Sequence, residues 1–248
     1  MSLNKMAHPA RRLAAPRLPI AGLTADSATA FPGHRAAVVF LQGCPLACGY
    51  CDSGPMAEAR RAEAGEWEAI RAFLDARRGE ISAVVFSGGE PTLHPDLFAA
   101  AAACRELGLA VGLHTAGPYP ERLEQLLPLL DWVALDTKGR GRDFDRIVGR
   151  TQVWQRHARS LSLLLEGHTP YECRTTVHWK DFDLAALERL ALTLADCGVR
   201  RYAVQLARTT DCRNPDYNQP VADAPPREAL KTLVRRLRPH FEQIELRG

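Results

Sequence analysis

Three cysteines, Cys44, Cys48 and Cys51, share one short stretch with the sequence FLQGCPLACGYC. They follow an apolar run, residues 36–41, that is typical of a buried strand. Three thiolates on one loop could hold three corners of a metal centre, and no fourth ligand of similar spacing follows. An open position suits a centre that does chemistry, whereas a structural zinc site normally closes with four protein ligands. The array alone leaves an iron–sulfur cluster, a zinc ion and a chance grouping of cysteines as alternatives.

A second motif consists of Gly88, Gly89 and Glu90 and follows another β-branched, apolar run, residues 82–86. Paired glycines at the end of a buried strand would let a ligand approach the backbone, and the carboxylate beside them could pair with a cationic amine. The alternative interpretation is an ordinary strand-to-helix turn, where glycines are common.

Both motifs in one chain, in this order and each after a strand, resemble the radical S-adenosylmethionine (SAM) superfamily. The resemblance continues through VALDTKG, YECRTTVHW and YAVQLA and covers roughly residues 18–215. It implies that Cys44, Cys48 and Cys51 bind a 4Fe–4S cluster whose fourth iron is chelated by SAM. It also implies that the motif around Glu90 contacts the methionine amino group. Within the superfamily the chain most resembles the activating enzymes of glycyl-radical proteins, especially that of anaerobic ribonucleoside-triphosphate reductase.

The resemblance also assigns roles to residues that end the predicted strands. Tyr50 would lie beside adenine, and Asp136 would lie near the ribose and methionine end of SAM. Lys138 and Arg174 would bind the methionine carboxylate or the substrate backbone. Gln205 would hydrogen-bond the nucleoside, and Thr115 lies on the same rim. Each has a simpler alternative, such as a core tyrosine, a turn cap, a solvated lysine or a surface ion pair. Because ligands bind at the carboxyl ends of parallel strands, the common placement favours a shared site.

His114 departs from the family pattern, in which the corresponding strand ends in Asp-Thr and the aspartate helps to hold a monovalent cation. An imidazole is a poor ligand for a hard alkali cation. We therefore expect that the cation requirement is lost and that His114 donates a hydrogen bond to the SAM carboxylate or to Asp136. The alternative is a histidine packed against the loop near Pro118. A second departure is the sequence DSGP, residues 52–55, where relatives have His or Asn followed by Pro.

The other four cysteines, Cys104, Cys173, Cys197 and Cys212, are not assigned to a metal. Cys104 and Cys197 fall in helical patterns where a small buried side chain is expected, and Cys212 is the one loop candidate. The odd total of seven cysteines is not a secreted disulfide framework, which favours a reducing compartment.

Strands and helices alternate along the chain. Strands are predicted at 36–41, 83–86, 109–113, 132–135, 171–177 and 201–206, and helices at 66–78, 95–107, 120–130, 151–165, 184–197 and 225–237, with a further strand possible near the end. Such repetition requires a parallel sheet with helices outside it. The predicted fold class is α/β, a partial (β/α)6 TIM-like barrel of the radical SAM type.

Length and composition bear on the number of domains, on nucleic-acid binding and on localisation. With 248 residues, 46% of them hydrophobic, the chain can bury a full core as one domain, residues 18–248, after a ragged tail, residues 1–17. The net charge of +3 is too small to indicate nucleic-acid binding. The chain shows no signal peptide and no membrane span, so a cytoplasmic protein is expected.

The function implied is reductive cleavage of SAM to a 5'-deoxyadenosyl radical, which abstracts hydrogen from a glycine of a partner protein. A low-potential donor such as flavodoxin or ferredoxin would supply the electron. The alternative is a radical SAM enzyme with a small-molecule substrate, such as a 7-deazaguanine precursor. A non-catalytic iron–sulfur or zinc protein is a third hypothesis, which the open position beside Glu90 disfavours.

Overall fold

The computed structural model describes residues 15–248, so most of the predicted tail lies outside the described residues. The strands are β1 (Ile20–Ser27), β2 (Ala36–Leu41), β3 (Ala83–Gly88), β4 (Ala110–Thr115), β5 (Trp132–Asp136), β6 (Tyr171–Val177), β7 (Arg201–Leu206) and β8 (Gln243–Arg247). The helices are α1 (Gly54–Ala57), α2 (Glu66–Ala76), α3 (Leu97–Glu106), α4 (Pro120–Leu126), α5 (Arg142–Val148), α6 (Val153–Glu166), α7 (Leu184–Asp196) and α8 (Arg227–Leu237). None of the described helices is long and apolar enough to cross a membrane.

The strands form one sheet in the order β1 to β8. β1 runs antiparallel to β2, and every later pair of neighbours is parallel. β1 and β8 are the two edges, so the barrel is open. This arrangement confirms the predicted partial barrel, with six strand–helix units from β2 to β7 and β8 as the possible further strand.

β2 and the first four residues of β3 are apolar on both faces of the sheet, and both of these faces are largely buried. Ala37, Val39 and Leu41 of β2 belong to the main core, which the sheet shares with the helices. Val38 and its neighbour Val85 of β3 belong to a separate cluster on the inner face of the sheet. Continuous apolar runs such as AVVF are expected for strands covered on two sides.

The connection between β1 and β2 fills part of the barrel interior. Its Phe31 is 5% exposed, and its ring centroid lies 6.3 Å from that of Trp132. A Cβ atom added to Gly112 would lie 3.0 Å from Phe31 Cδ1 and 3.0 Å from Val85 Cγ2. Gly112 is therefore needed for space, since interiors are close-packed and tolerate little extra volume.

The sequence prediction missed two helices, the one-turn α1 and α5; the short, highly charged segment of α5 is flanked by glycines and resembles a turn. Gly149 ends α5 with φ 59°, a conformation that favours glycine. The prediction that Cys197 is buried was wrong, because it directly follows α7 and is exposed, whereas Cys104 is fully buried as expected. Arg17, in the predicted tail, already donates its backbone N–H to the Asp96 carboxylate at 2.8 Å.

Candidate active site

The cysteine-bearing segment, residues 42–53, is called the cluster loop. It follows β2 and turns back along α1: the Gly43 N–H donates to Met56 O at 2.7 Å, and the Cys44 N–H donates to Ala57 O at 3.1 Å. A loop without regular structure must satisfy its backbone groups in this way. These two hydrogen bonds to α1 hold the backbone of Cys44 in place.

The three thiols are free and differ in exposure. Cys48 is buried, whereas Cys44 and Cys51 are half-buried. Burial, with a smaller contribution from the Glu90 carboxylate, raises the pKa of the Cys44 thiol to about 12, and burial also raises the pKa of Cys48. These thiols must lose protons when a metal binds, so metal binding depends on pH.

The spacing of the donors bears on which metal centre fits. Among residues 15–248, no three Cys, His, Asp or Glu side chains converge closely enough to hold one metal ion. Two sulfurs on one zinc ion would lie roughly 3.8 Å apart, because each Zn–S bond of a tetrahedral site is about 2.3 Å. Thiolates bound to different irons of a cluster are farther apart. The three cysteines do not converge on one ion, and all-thiolate ligation is the kind that iron–sulfur clusters use.

Gly88 and Gly89 lie against the backbone of β2 and of the cluster loop. A Cβ atom on Gly88, which has φ 109°, would lie 2.4 Å from the backbone N and O of Leu41. A Cβ atom on Gly89 would lie 2.2 Å from the carbonyl oxygen of Gly43. The protein's own backbone thus requires both glycines, a reason that the sequence did not reveal. Their contact with SAM stays a prediction.

Glu90 is 1% exposed, and its carboxylate accepts hydrogen bonds from four donors. Oε1 accepts from the Thr92 N–H at 3.0 Å, the Thr92 hydroxyl at 2.5 Å and the Thr115 hydroxyl at 2.6 Å. Within residues 15–248, Oε2 accepts one hydrogen bond, from the Ala116 N–H at 2.9 Å. Burial raises the pKa of Glu90, although all four donors oppose that shift. Oε2 keeps a lone pair that could accept an amine, and Thr115 positions the carboxylate.

Tyr50, Asp136 and Lys138 lie together beside Cys48. The Lys138 ammonium is 3.4 Å from the Asp136 carboxylate and 5.6 Å from the centroid of the Tyr50 ring. Burial disfavours the Lys138 charge, but the neighbouring Asp136 carboxylate favours it, and the pKa of Lys138 is raised. A charged lysine at this position stabilises nearby thiolates, and it lowers the pKa of Cys48 against the effect of burial.

Arg174 is part of a charged network on the inner face of β6 and β8. Its Nε donates to Glu172 at 2.7 Å, and Arg247 donates to both oxygens of Glu172 at 2.7 and 2.8 Å. Arg247 also donates to Glu245 at 2.8 Å. The sequence analysis missed Glu172, Glu245 and Arg247, although the signal was present: in YECRTTV and QIELR every second residue is polar. Gln205, on the same face of β7, is half-buried and makes no side-chain hydrogen bond within the described part of the chain.

His114 does not make the predicted bond to Asp136. Its Nε2 lies 2.8 Å from the carbonyl oxygen of Ala30, to which it donates, and Arg174 Nη1 lies 3.4 Å from the same nitrogen. Burial, and then Arg174, lower the pKa of His114 to about 4, so the ring is neutral. The hydrogen-bond partner that holds the ring is the carbonyl group of Ala30, in the β1–β2 connection.

The unassigned cysteines have structural surroundings. Cys173 is fully buried in β6. The thiol of Cys212 donates to Arg208 O at 3.3 Å, and its backbone N–H donates to the Asn218 side chain at 2.9 Å. Cys212 therefore helps to shape its own loop, which packs on the cluster loop.

A comparison with known protein families identifies the fold and its chemistry. The family model described as "Radical SAM superfamily" matches residues 38–178. The chain belongs to the radical SAM superfamily. That membership implies a 4Fe–4S cluster and SAM as cofactors, and it makes the chain an enzyme of radical chemistry.

Three relatives within the superfamily are similar to this chain. "Putative glycyl-radical enzyme activating enzyme MJ1227" of Methanocaldococcus jannaschii is 28% identical over 236 residues, 92% of this chain and 95% of the relative. The 7-carboxy-7-deazaguanine synthase of Thermococcus kodakarensis is 28% identical over 54% of this chain and 60% of its own length. The pyruvate formate-lyase-activating enzyme of Streptococcus mutans is 34% identical over 47% of this chain and 49% of its own length.

Solved structures agree on the fold of this radical SAM enzyme. QueE from Escherichia coli superimposes with a TM-score of 0.55 and 20% identity, over 92% of this chain and 93% of QueE. Streptococcus suis SuiB, bound to its precursor peptide SuiA, gives a TM-score of 0.63 and 16% identity over 82% of this chain and 46% of SuiB. At these identities the likeness establishes the partial barrel and leaves the substrate open.

Proposed function

We propose that this radical SAM enzyme is an activase that generates a glycyl radical on a partner enzyme, anaerobic ribonucleoside-triphosphate reductase. The observation that carries the proposal is the match to the Methanocaldococcus relative, which runs through 92% of this chain and 95% of that protein. The pyruvate formate-lyase-activating enzyme of Streptococcus mutans supports the same class over about half of its length.

The residues present fit the two cofactors. Cys44, Cys48 and Cys51 would hold the cluster, and Glu90 Oε2 would accept the amino group of SAM. When bound, the cluster and SAM supply reductive cleavage of the sulfonium and a carbon radical that abstracts hydrogen. The other proposed cofactor contacts are Tyr50, Gly88, Gly89, His114, Thr115, Asp136, Lys138, Arg174 and Gln205.

The protein's own contribution is orientation and exclusion of water. The Lys138 ammonium beside Asp136 offers a cation for the methionine carboxylate. Arg174, on the neighbouring strand β6, offers a second cation for that carboxylate or for the substrate backbone. The partner's glycine must enter on an extended, flexible segment, because a helix or strand would have to give up its own backbone hydrogen bonds. A low-potential donor such as flavodoxin or ferredoxin, and a cytoplasmic, anaerobic setting, complete the proposal.

The second candidate is a radical SAM enzyme acting on a small molecule such as a 7-deazaguanine precursor. The Thermococcus synthase favours it, but the match covers only 54% of this chain and 60% of that protein.

Co-expression with a glycyl-radical reductase separates the two candidates. We expect a glycyl-radical signal in electron paramagnetic resonance (EPR) only when this protein, SAM and a low-potential reductant are all present. The Cys48→Ala variant is the control and should give no signal. A reductase that stays radical-free while a deazaguanine precursor is turned over would overturn the proposal in favour of the second candidate.

A further inference from the structure

Residues 208–219, between β7 and α8, form a segment that we call the strap. The strap lies beyond residues 38–178, the part of the chain that matches the family model. Its centre is a single short turn, Pro215–Asn218, capped by Asn214, whose side chain accepts from the Asp216 N–H at 3.0 Å.

The strap is bonded directly to the cluster loop. The Arg213 N–H donates to the carbonyl oxygen of Cys51 at 2.8 Å, and the Asn214 N–H donates to that of Gly49 at 3.1 Å. The Arg213 guanidinium donates to Leu46 O at 2.9 Å. These bonds satisfy carbonyl groups along the same stretch that carries Cys48 and Cys51.

Tyr217 of the strap fills the space that a side chain at Gly49 would need. A Cβ atom at Gly49 would lie 2.3 Å from Tyr217 Cε2 and 2.6 Å from Cζ, so the ring lies against the bare backbone of the cluster loop. Gly49 does not have a positive φ, so that space, and not backbone conformation, explains the glycine.

On its other side, Tyr217 is held by residues that follow β6. His178 Nε2 donates to Tyr217 O at 3.0 Å, and the two ring centroids are 4.6 Å apart. The Tyr217 hydroxyl donates to Asp181 at 3.1 Å, and Asp181 also accepts from Arg146 of α5 at 2.9 Å. The ring therefore connects the cluster loop to the loop that follows β6 and, through Asp181, to α5.

We infer that Tyr217 is a positioning residue for the iron–sulfur cluster: through the strap it fixes the backbone of residues 46–51, so that the thiolates of Cys48 and Cys51 are held in place. Three thiolates can retain a cluster only while all three stay in position, and a loop with little regular structure opens easily unless something packs on it. The inference rests on the cysteine site and does not require the glycyl-radical partner.

The test is the rate at which the anaerobically reconstituted holoenzyme loses iron to a chelator. Tyr217→Ala should release iron about tenfold faster than the parent, equivalent to about 1.4 kcal/mol. Tyr217→Phe keeps the ring on Gly49 and should stay within about twofold of the parent. Tyr171→Ala removes a half-buried tyrosine at the amino end of β6 and serves as the control for general loss of stability.

A double-mutant cycle tests the contact itself. Gly49→Ala alone should accelerate iron loss, and it should do so less in the Tyr217→Ala background, where the ring no longer occupies the space of the new methyl group. Parent-like iron release by Tyr217→Ala, equal acceleration by Tyr171→Ala, or additive effects in the cycle would each overturn the inference. A parent that assembles no cluster would overturn the cysteine site itself and this inference with it.

Discussion

The two sides of the barrel mouth are built from different interactions. On the side of β2 to β4, the Glu90 carboxylate accepts four short hydrogen bonds from neutral donors close in the fold. On the side of β6 to β8, Arg174, Glu172, Glu245 and Arg247 form a network of ion pairs. Neutral bonds from fixed backbone and threonine groups define one geometry, whereas ion pairs between long side chains can exchange partners. The first side suits a fixed cofactor, and the second suits a substrate that arrives from outside.

The largest expected effect concerns the cofactor side. Replacing Cys44, Cys48 or Cys51 by Ala should abolish SAM cleavage, because cluster binding needs all three thiolates at once. Cys104→Ala should cost only about 1 kcal/mol of stability, since that thiol is a buried core group. Product analysis of 5'-deoxyadenosine measures the first effect and urea unfolding the second; cleavage retained in Cys48→Ala would contradict the ligand assignment.

Glu90→Gln tests how much the hydrogen bonds of the Glu90 carboxylate contribute to stability and to SAM binding on the cofactor side. An amide nitrogen would face donors that now point at a carboxylate oxygen, so the free energy of unfolding should fall by about 2–3 kcal/mol, and SAM affinity should fall at least about tenfold. Thr115→Val, which removes one of the four donors, should cost about 1 kcal/mol. Urea unfolding and equilibrium dialysis with SAM measure both changes. Parent-like SAM binding by Glu90→Gln would show that Oε2 does not receive the amine.

A pH titration probes the buried histidines that support the mouth. His157 is fully buried, and its Nδ1 donates to Ala116 O at 2.9 Å, next to the bond that Ala116 makes with Glu90. Burial lowers the pKa of His157 from 6.5 to about 4. The unfolded chain therefore binds a proton that the folded chain does not, and stability falls as the pH drops from about 6.5 towards 4.

When the pH is lowered from 7 to 5, His157 should lower the free energy of unfolding by about 2 kcal/mol. His157→Phe should remove that part of the pH dependence, while exposed His168→Gln serves as the control. Urea unfolding at the two pH values measures the difference. An unchanged slope in His157→Phe would mean that His157 does not titrate as the structure indicates.

The smallest expected effect concerns the substrate side. Arg247→Met should lower stability by only about 1–2 kcal/mol, because Arg247 is partly exposed and Glu172 keeps its bond to Arg174. It should raise the KM for the protein partner more than the KM for SAM. Arg200→Met, which breaks an exposed pair with Glu242, is the matched control and should have little effect. Equal increases in both KM values would remove the distinction between the two sides.

The sequence predicted the cofactor side far better than the substrate side. Cys44 to Cys51 and Gly88 to Glu90 are contiguous motifs that follow apolar strands, so their position could be inferred without long-range information. The hydrogen-bond partners of Glu172 could not be inferred in this way, because Arg247 is 75 residues away, in a strand that was predicted only as possible. The strap was missed because its segment lacks apolar periodicity, and α5 because its one apolar set, Phe144, Ile147 and Val148, lies in a short, charged segment; the contacts of both with the cluster loop depend on the folded barrel.

EPR spectroscopy of the anaerobically reconstituted, reduced protein, with and without SAM, tests the cysteine and Glu90 site most directly. A reduced 4Fe–4S cluster with an open iron beside Glu90 should give a spectrum that changes when SAM is added, and Cys48→Ala should give no such cluster. A cluster whose spectrum is the same with and without SAM would contradict the assignment of this site.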